Sequence, residues 1–148
     1  MSRLPVFRKS GTKVPVFSTV MDNDNHELQR VLEETAAFCA QEHASERETM
    51  LIRLAVEELC MVTIGKAFSG KPDEYIQLTL AHETNGDYTL YIRNSAPLFN
   101  PLDLRMEKLS REKQEELLDS IGVMMVREKV KNLRFRHYQG FNLMTVVI

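Results

Sequence analysis

The sequence predicts an α+β fold, a two-layer sandwich in which helices cover one face of a mixed, mostly antiparallel sheet. Three observations carry this. Two pairs of short, β-rich runs read as hairpins, one over residues 75–93 and one over 133–148. Two long helical patterns precede the first pair, and further helical segments separate it from the second. The resulting order, β-α-α-β-β-(α)-α-β-β, segregates hairpin strands from helices, as a sheet covered on one side requires.

Composition sets the frame. The chain has 148 residues, 43% hydrophobic and 27% charged, enough for one real core and too apolar for a disordered chain. Residues 1–13, polar and basic with Pro5 and Gly11, are expected to be a loosely attached leader, and residues 14–148 a single domain. The net charge of −2 gives no positive field to attract nucleic acid or anionic lipid. The basic cluster Lys129, Lys131, Arg134 and Arg136 alternates with apolar residues, as the outside of a helix and strand would. Cys39 and Cys60 are far apart and lie in apolar helical patterns, and His26, His43, His82 and His137 form no pair at ligand spacing. No metal site of His and Cys is therefore expected. With no signal peptide and no long apolar run, the expected location is cytoplasmic, without membrane insertion.

Taken in order, Val14 to Val20 reads as a strand, and Pro15 places it at an edge or a strand start. Asp22 to Asn25 offers N-caps for a helix running to about His43, with Leu28, Val31, Leu32, Ala36 and Cys39 as its apolar stripe. Ser45 and Glu48 resemble a capping box opening a second helix that ends near Phe68, before Ser69 to Pro72. Tyr75 to Glu83 and Tyr88 to Arg93 alternate around Asn85-Gly86, which predicts a type I′ hairpin turn. Asn94 to Pro101 is a loop, and Leu102 to Leu109 a turn or short helix. Ser110 caps a charged helix over 111–119, and Ile121 to Lys131 is helical again. The chain closes with Leu133 to Tyr138, a turn at Gln139-Gly140, and Asn142 to Ile148.

The second helix draws attention first. Its run LAVEELCMVTIGKAF is apolar but for Glu57 and Glu58 at its middle and little else that is polar. A carboxylate in such a helix reaches the edge of the core or finds a partner, because an unpaired buried charge is costly. The plain alternative is that the pair covers a narrow polar stripe facing water.

The VEEL sequence in that helix, the loop PLFNPLD, the SIGVMMV run and the closing GFNLMTVVI resemble the GHKL (histidine-kinase-like) ATPases. Within them the pattern is most similar to the anti-sigma-factor type of serine kinase, over about Val14 to Ile148. Gly140, Asn142 and Thr145 are spaced as in those kinases. The resemblance implies a nucleotide between the central helix and the sheet. By it, Glu58 stands where the general base stands, and the Mg²⁺-holding Asn four residues on is replaced by Val62, which offers no lone pair. The Asp-x-Gly that receives adenine becomes Asn94-Ser95-Ala96, with an uncharged amide and, if the glycine position needs positive φ, strain at Ala96. The Gly-x-Gly turn whose following helix cradles phosphate becomes Ser120-Ile121-Gly122. A lone glycine before a helix is weak evidence, and an ordinary helix–helix turn is the better account of it.

An intact apolar framework with an altered ligand set implies an anti-sigma-factor-like regulatory domain with weakened or lost Mg-ATP binding. ATP or ADP remains an expected ligand, Mg²⁺ a doubtful one. The resemblance brings a sigma-factor or antagonist type of protein partner and a homodimer as expectations. Leu98-Phe99 and Met124-Met125 are candidate contacts, unless they pack into the core. Two alternatives are an active ATP-binding serine protein kinase using Glu58 and Asn94, and the cytoplasmic regulatory domain of a larger signalling or membrane protein.

Overall fold

Strand β1 (Val16–Asp22) follows Pro15, whose carbonyl accepts the His82 N–H at 3.0 Å, so the proline ends the ladder without breaking it. The computed structural model describes residues 14–22, 24–67, 74–103 and 114–148. The leader 1–13, the expected helix end 68–72, and the expected segments at 104–113, including the Ser110 cap, lie outside the described residues. Helix α1 (Asn25–Gln41) starts at Asp24, whose carboxylate accepts the His26 N–H at 2.9 Å. Leu28, Val31, Leu32 and Cys39 are buried on one stripe. Arg30 joins Glu27 and Glu34 on the other side and donates to the Val20 carbonyl, tying the helix to β1.

Helix α2 (Glu46–Val62) opens with the capping box: the Glu48 N–H donates to Ser45 Oγ at 3.0 Å, and the Ser45 N–H donates to Glu48 Oε1 at 2.9 Å. Leu51, Ile52, Ala55, Val56, Leu59, Cys60 and Val62 are all buried, so most of the circumference is core. Past Val62 the helix widens into a π turn over Thr63–Ala67, where the Thr63 hydroxyl donates to the Leu59 carbonyl at 2.7 Å.

Strands β2 (Tyr75–His82) and β3 (Tyr88–Asn94) form the expected hairpin, but not through a type I′ turn. Positive φ occurs at Gly86 and not at Asn85. The Gly86 N–H donates to the Glu83 carbonyl and the Glu83 N–H to the Asp87 carbonyl, the pattern of a three-residue loop with glycine at a bulge. Asn85 instead accepts the Asp87 N–H with its side chain, which holds it at negative φ. The I′ geometry appears in the second hairpin, where Gln139 and Gly140 both have positive φ between β4 (Asn132–Tyr138) and β5 (Phe141–Val147).

Helix α3 (Gln114–Lys129) is continuous through Ser120-Ile121-Gly122, where the sequence suggested a break. The sheet order is β1-β2-β3-β5-β4, and every pairing is antiparallel. The last strand thus lies between β3 and β4. On the face toward the helices, register aligns Leu78, Ile92, Met144 and Phe135 in one row and Leu80, Leu90, Val146 and Leu133 in the next. These rows meet α1 and α2 in one apolar core. A third row, Ile76, Asn94, Asn142 and His137, turns polar at the end of the sheet nearest the loop 95–100.

Candidate functional site

The two acids of α2 part company. Glu57 is exposed, whereas Glu58, one step round the helix, is half-buried and runs across α3. Gly122 is what admits it: a Cβ there would lie 1.9 Å from Glu58 Oε2 and 2.7 Å from its Cδ. Glu58 and Gly122 are therefore brought together as expected, but by a different device. Gly122 is inside α3, where the amide of each residue is committed to the carbonyl four back. It cannot serve as the phosphate-cradling N-terminus of a helix; its service is the missing side chain. The Ser120 backbone shares that helix, and its side chain lies outside the described residues.

Val62 is 1% exposed, packed in the core one turn beyond Glu58. A buried isopropyl group supplies no oxygen to a cation. Cys60, between them in sequence, is fully buried, and burial pushes its thiol up to about 12, so it is no nucleophile.

Asn94 ends β3 opposite Asn142 of β5 and is buried with it. The hydrogen bonds around this pair fix every orientation. The Phe99 N–H can only donate, so the Asn142 atom 3.3 Å from it is the oxygen. The same oxygen lies 2.8 Å from His137 Nδ1, which must therefore carry the proton. Asn142 Nδ2 then faces three acceptors: Asn94 Oδ1 at 3.0 Å, and the Ala96 and Pro97 carbonyls, each at 3.1 Å. Two hydrogens serve three oxygens, so one is shared. Asn94 Oδ1 also accepts the Ala96 N–H at 3.1 Å. The oxygen expected to receive an adenine amino group is thus engaged twice within the fold. Ala96 is buried at negative φ, so the strain expected at that position is absent.

Thr145 is not part of this arrangement. It pairs with Tyr91 and Arg134, one residue out of phase with Met144 and Val146, and so belongs to the sheet face away from the helices. The residues that sequence reasoning passed over are Asn142 as a structural hub and His137 as its donor. The one hint was the closing GFN, in which an Asn stands among apolar strand residues.

Chemically, the described residues offer one half-buried carboxylate between two helices and a polar row already satisfied internally. Of the groups the resemblance assigns to a magnesium nucleotide, Val62 offers no oxygen to a cation, and the Asn94 oxygen is present but already accepts from Asn142 and Ala96. A groove of about 520 Å³ between α1 and α2 is lined by Ala36, Ala40, Met50, Leu54 and Glu57, and another of about 380 Å³ by Phe17, Glu34 and Phe38. Neither includes Glu58, Asn94 or Gly122. Among the described residues no cluster of three His, Cys, Asp or Glu could hold a metal ion, and no helix is long and apolar enough to cross a membrane. Leu98 is 68% exposed and Met124 and Met125 are exposed, whereas Phe99 packs against the core.

Comparison with known proteins adds the lineage. A family model described as histidine kinase-like ATPase domain matches residues 21–148. No curated protein matches the sequence. Among solved structures, one titled as the RsbU and RsbW domains of Rv1364c from Mycobacterium tuberculosis superposes with a TM-score of 0.65 at 13% identity. The match covers 90% of this chain and 32% of that one, so the chain spans about a third of its length.

Proposed function

Because the chain belongs to the histidine kinase-like ATPase domain family, we propose that it is a regulatory member of it, resembling the anti-sigma-factor type, that acts by holding a protein partner and has weakened or lost Mg-ATP turnover. The observation that carries this is the engagement of Asn94 Oδ1 by Asn142 and Ala96. A nucleotide base seeking that oxygen would compete with two bonds already made, and breaking buried bonds costs about 1–3 kcal/mol for each group left unpaired. Val62 supports the same reading, since Mg²⁺ demands near-octahedral oxygen coordination and finds none there. Exposed Leu98, Met124 and Met125 support a partner surface, because Met side chains adapt to what they meet.

The second reading is an ATP-dependent serine protein kinase. What favours it is Glu58, a carboxylate held between α2 and α3 by a glycine that does nothing else visible. Phosphoryl transfer from γ-labelled ATP to candidate protein substrates, compared with Glu58→Gln, separates the two. The regulatory reading expects no transfer that depends on Glu58. Transfer lost in Glu58→Gln establishes the kinase.

A further inference from the structure

On the sheet face away from the helices Gln77, Thr79, Ala81, Thr89 and Leu143 are buried, whereas Arg134 and Arg136 of β4 are exposed. Register puts Arg93 of β3 in a row with Leu143 and Arg136, and Tyr91 in the next row with Thr145 and Arg134. None of the three arginines has a carboxylate partner among the described ion pairs, which join Arg30 to Glu27 and Glu34, His82 to Glu42, and Lys131 to Asp87. Arg93 Nε is buried without a hydrogen-bond partner. Its guanidinium lies 3.8 Å from the centre of the Phe141 ring, and that of Arg136 lies 4.9 Å from the Tyr138 ring. Carboxylates at the margin include Asp22, on the far edge strand, Glu74, which accepts from the Ser95 hydroxyl, Glu83, whose charge is felt at Tyr91, and Asp87, which is paired with Lys131.

We infer that this face is a docking surface for an extended acidic segment of a partner protein, read by Arg93, Arg134 and Arg136. The inference rests on the reading of the chain as a partner-binding domain and names where the partner lies. Charge complementarity selects an anionic occupant, and arginine forks suit carboxylates. Arg134 and Arg136 stand two residues apart on β4, about 7 Å, which is the spacing of alternate side chains on an extended chain. Among the described strands β4 is also an edge, and such an edge suits pairing with an extended segment. Single-stranded nucleic acid fits less well. The net charge is −2, and a guanidinium already lies over the Phe141 and Tyr138 rings that bases would stack on.

The test uses the full chain and three fluorescent probes: a short peptide alternating Glu and Val, the same peptide with Gln for Glu, and an oligothymidine. Anisotropy is followed in wild type, in Arg134→Gln/Arg136→Gln, whose exposed side chains spare the core, and in Arg127→Gln/Lys129→Gln as a charge-matched control on α3. The expected result is salt-sensitive binding of the acidic peptide alone, weakened roughly tenfold in the β4 variant and little changed in the α3 control. Adding Arg93→Gln weakens it further, with circular dichroism confirming the fold. Equal weakening in the α3 control, no binding of the acidic peptide, or tighter binding of the oligothymidine overturns the inference. Mg-ATP turnover by the wild type would remove the functional reading while leaving the peptide result to stand alone.

Discussion

Asn142 donates its side-chain amide to Asn94 at 3.0 Å, across the ladder that joins β5 to β3 and between residues 48 apart in sequence. That bond closes the polar end of the sheet and, with the Ala96 N–H, gives the Asn94 oxygen two donors within the fold. Asn142→Ala would strand the Ala96 and Pro97 carbonyls and the Phe99 N–H together. The expected loss is about 2–4 kcal/mol, read as a lower urea midpoint, since each buried group left unpaired costs about 1–3. Unchanged stability would show that the network is replaced by water.

Gly122 and Glu58 should be energetically coupled. Gly122→Ala gains about 0.5–1 kcal/mol from helix propensity but forces the Glu58 carboxylate aside. With Glu58→Ala in the background the gain should appear in full, and in wild type it should be diminished or reversed. A double-mutant cycle by chemical denaturation reads the coupling, and a coupling near zero contradicts the contact.

The capping box makes a simpler prediction. Ser45→Ala removes the acceptor for the Glu48 N–H and is expected to cost about 1 kcal/mol, whereas Ser45→Asp should be nearly neutral. Thermal unfolding of the two variants checks it.

Alkaline pH should destabilise the protein. Burial raises the Tyr88 hydroxyl to about 12, assisted by the charges of Glu48, Cys39 and Glu42. In the unfolded chain the same group loses its proton near about 10. The folded state favours the protonated form, so stability is full below the lower value and is lost as pH rises through the interval between them. Urea midpoints measured across that interval should fall, and Tyr88→Phe should lessen the fall, leaving the part that comes from the buried Cys60 thiol, also raised to about 12.

Much of the fold was legible because its signals are local. The Ser45–Glu48 box, the Asp24 cap and the alternating runs of β2 and β3 each depend on residues within a turn or a strand of one another. What escaped involved partners distant in the chain. Nothing near Asn142 announces that β5 inserts between β3 and β4, and only that insertion sets it beside Asn94. Ser120-Ile121-Gly122 read as a turn because the resemblance sets it on a Gly-x-Gly turn; in the fold the glycine makes room for Glu58, on another helix. Asn85-Gly86 favoured I′ geometry by composition, and a side-chain bond to the Asp87 amide chose otherwise. Thr145 was drawn into the site by spacing, and strand alternation turns it to the other face.

Restoring the altered positions is the converse experiment. Val62→Asn with Asn94→Asp supplies a metal-binding oxygen and a charged acceptor at the places the family resemblance assigns. Nucleotide affinity in the presence of Mg²⁺ should rise by at least about tenfold, equivalent to about 1.4 kcal/mol. No rise would mean that these residues do not border a nucleotide cleft.

The most direct measurement is calorimetric titration of the wild-type chain with ATP and ADP, with and without Mg²⁺. The account predicts no saturable heat at millimolar nucleotide. Magnesium-dependent binding tighter than about 100 µM, abolished by Asn94→Ala, would contradict it.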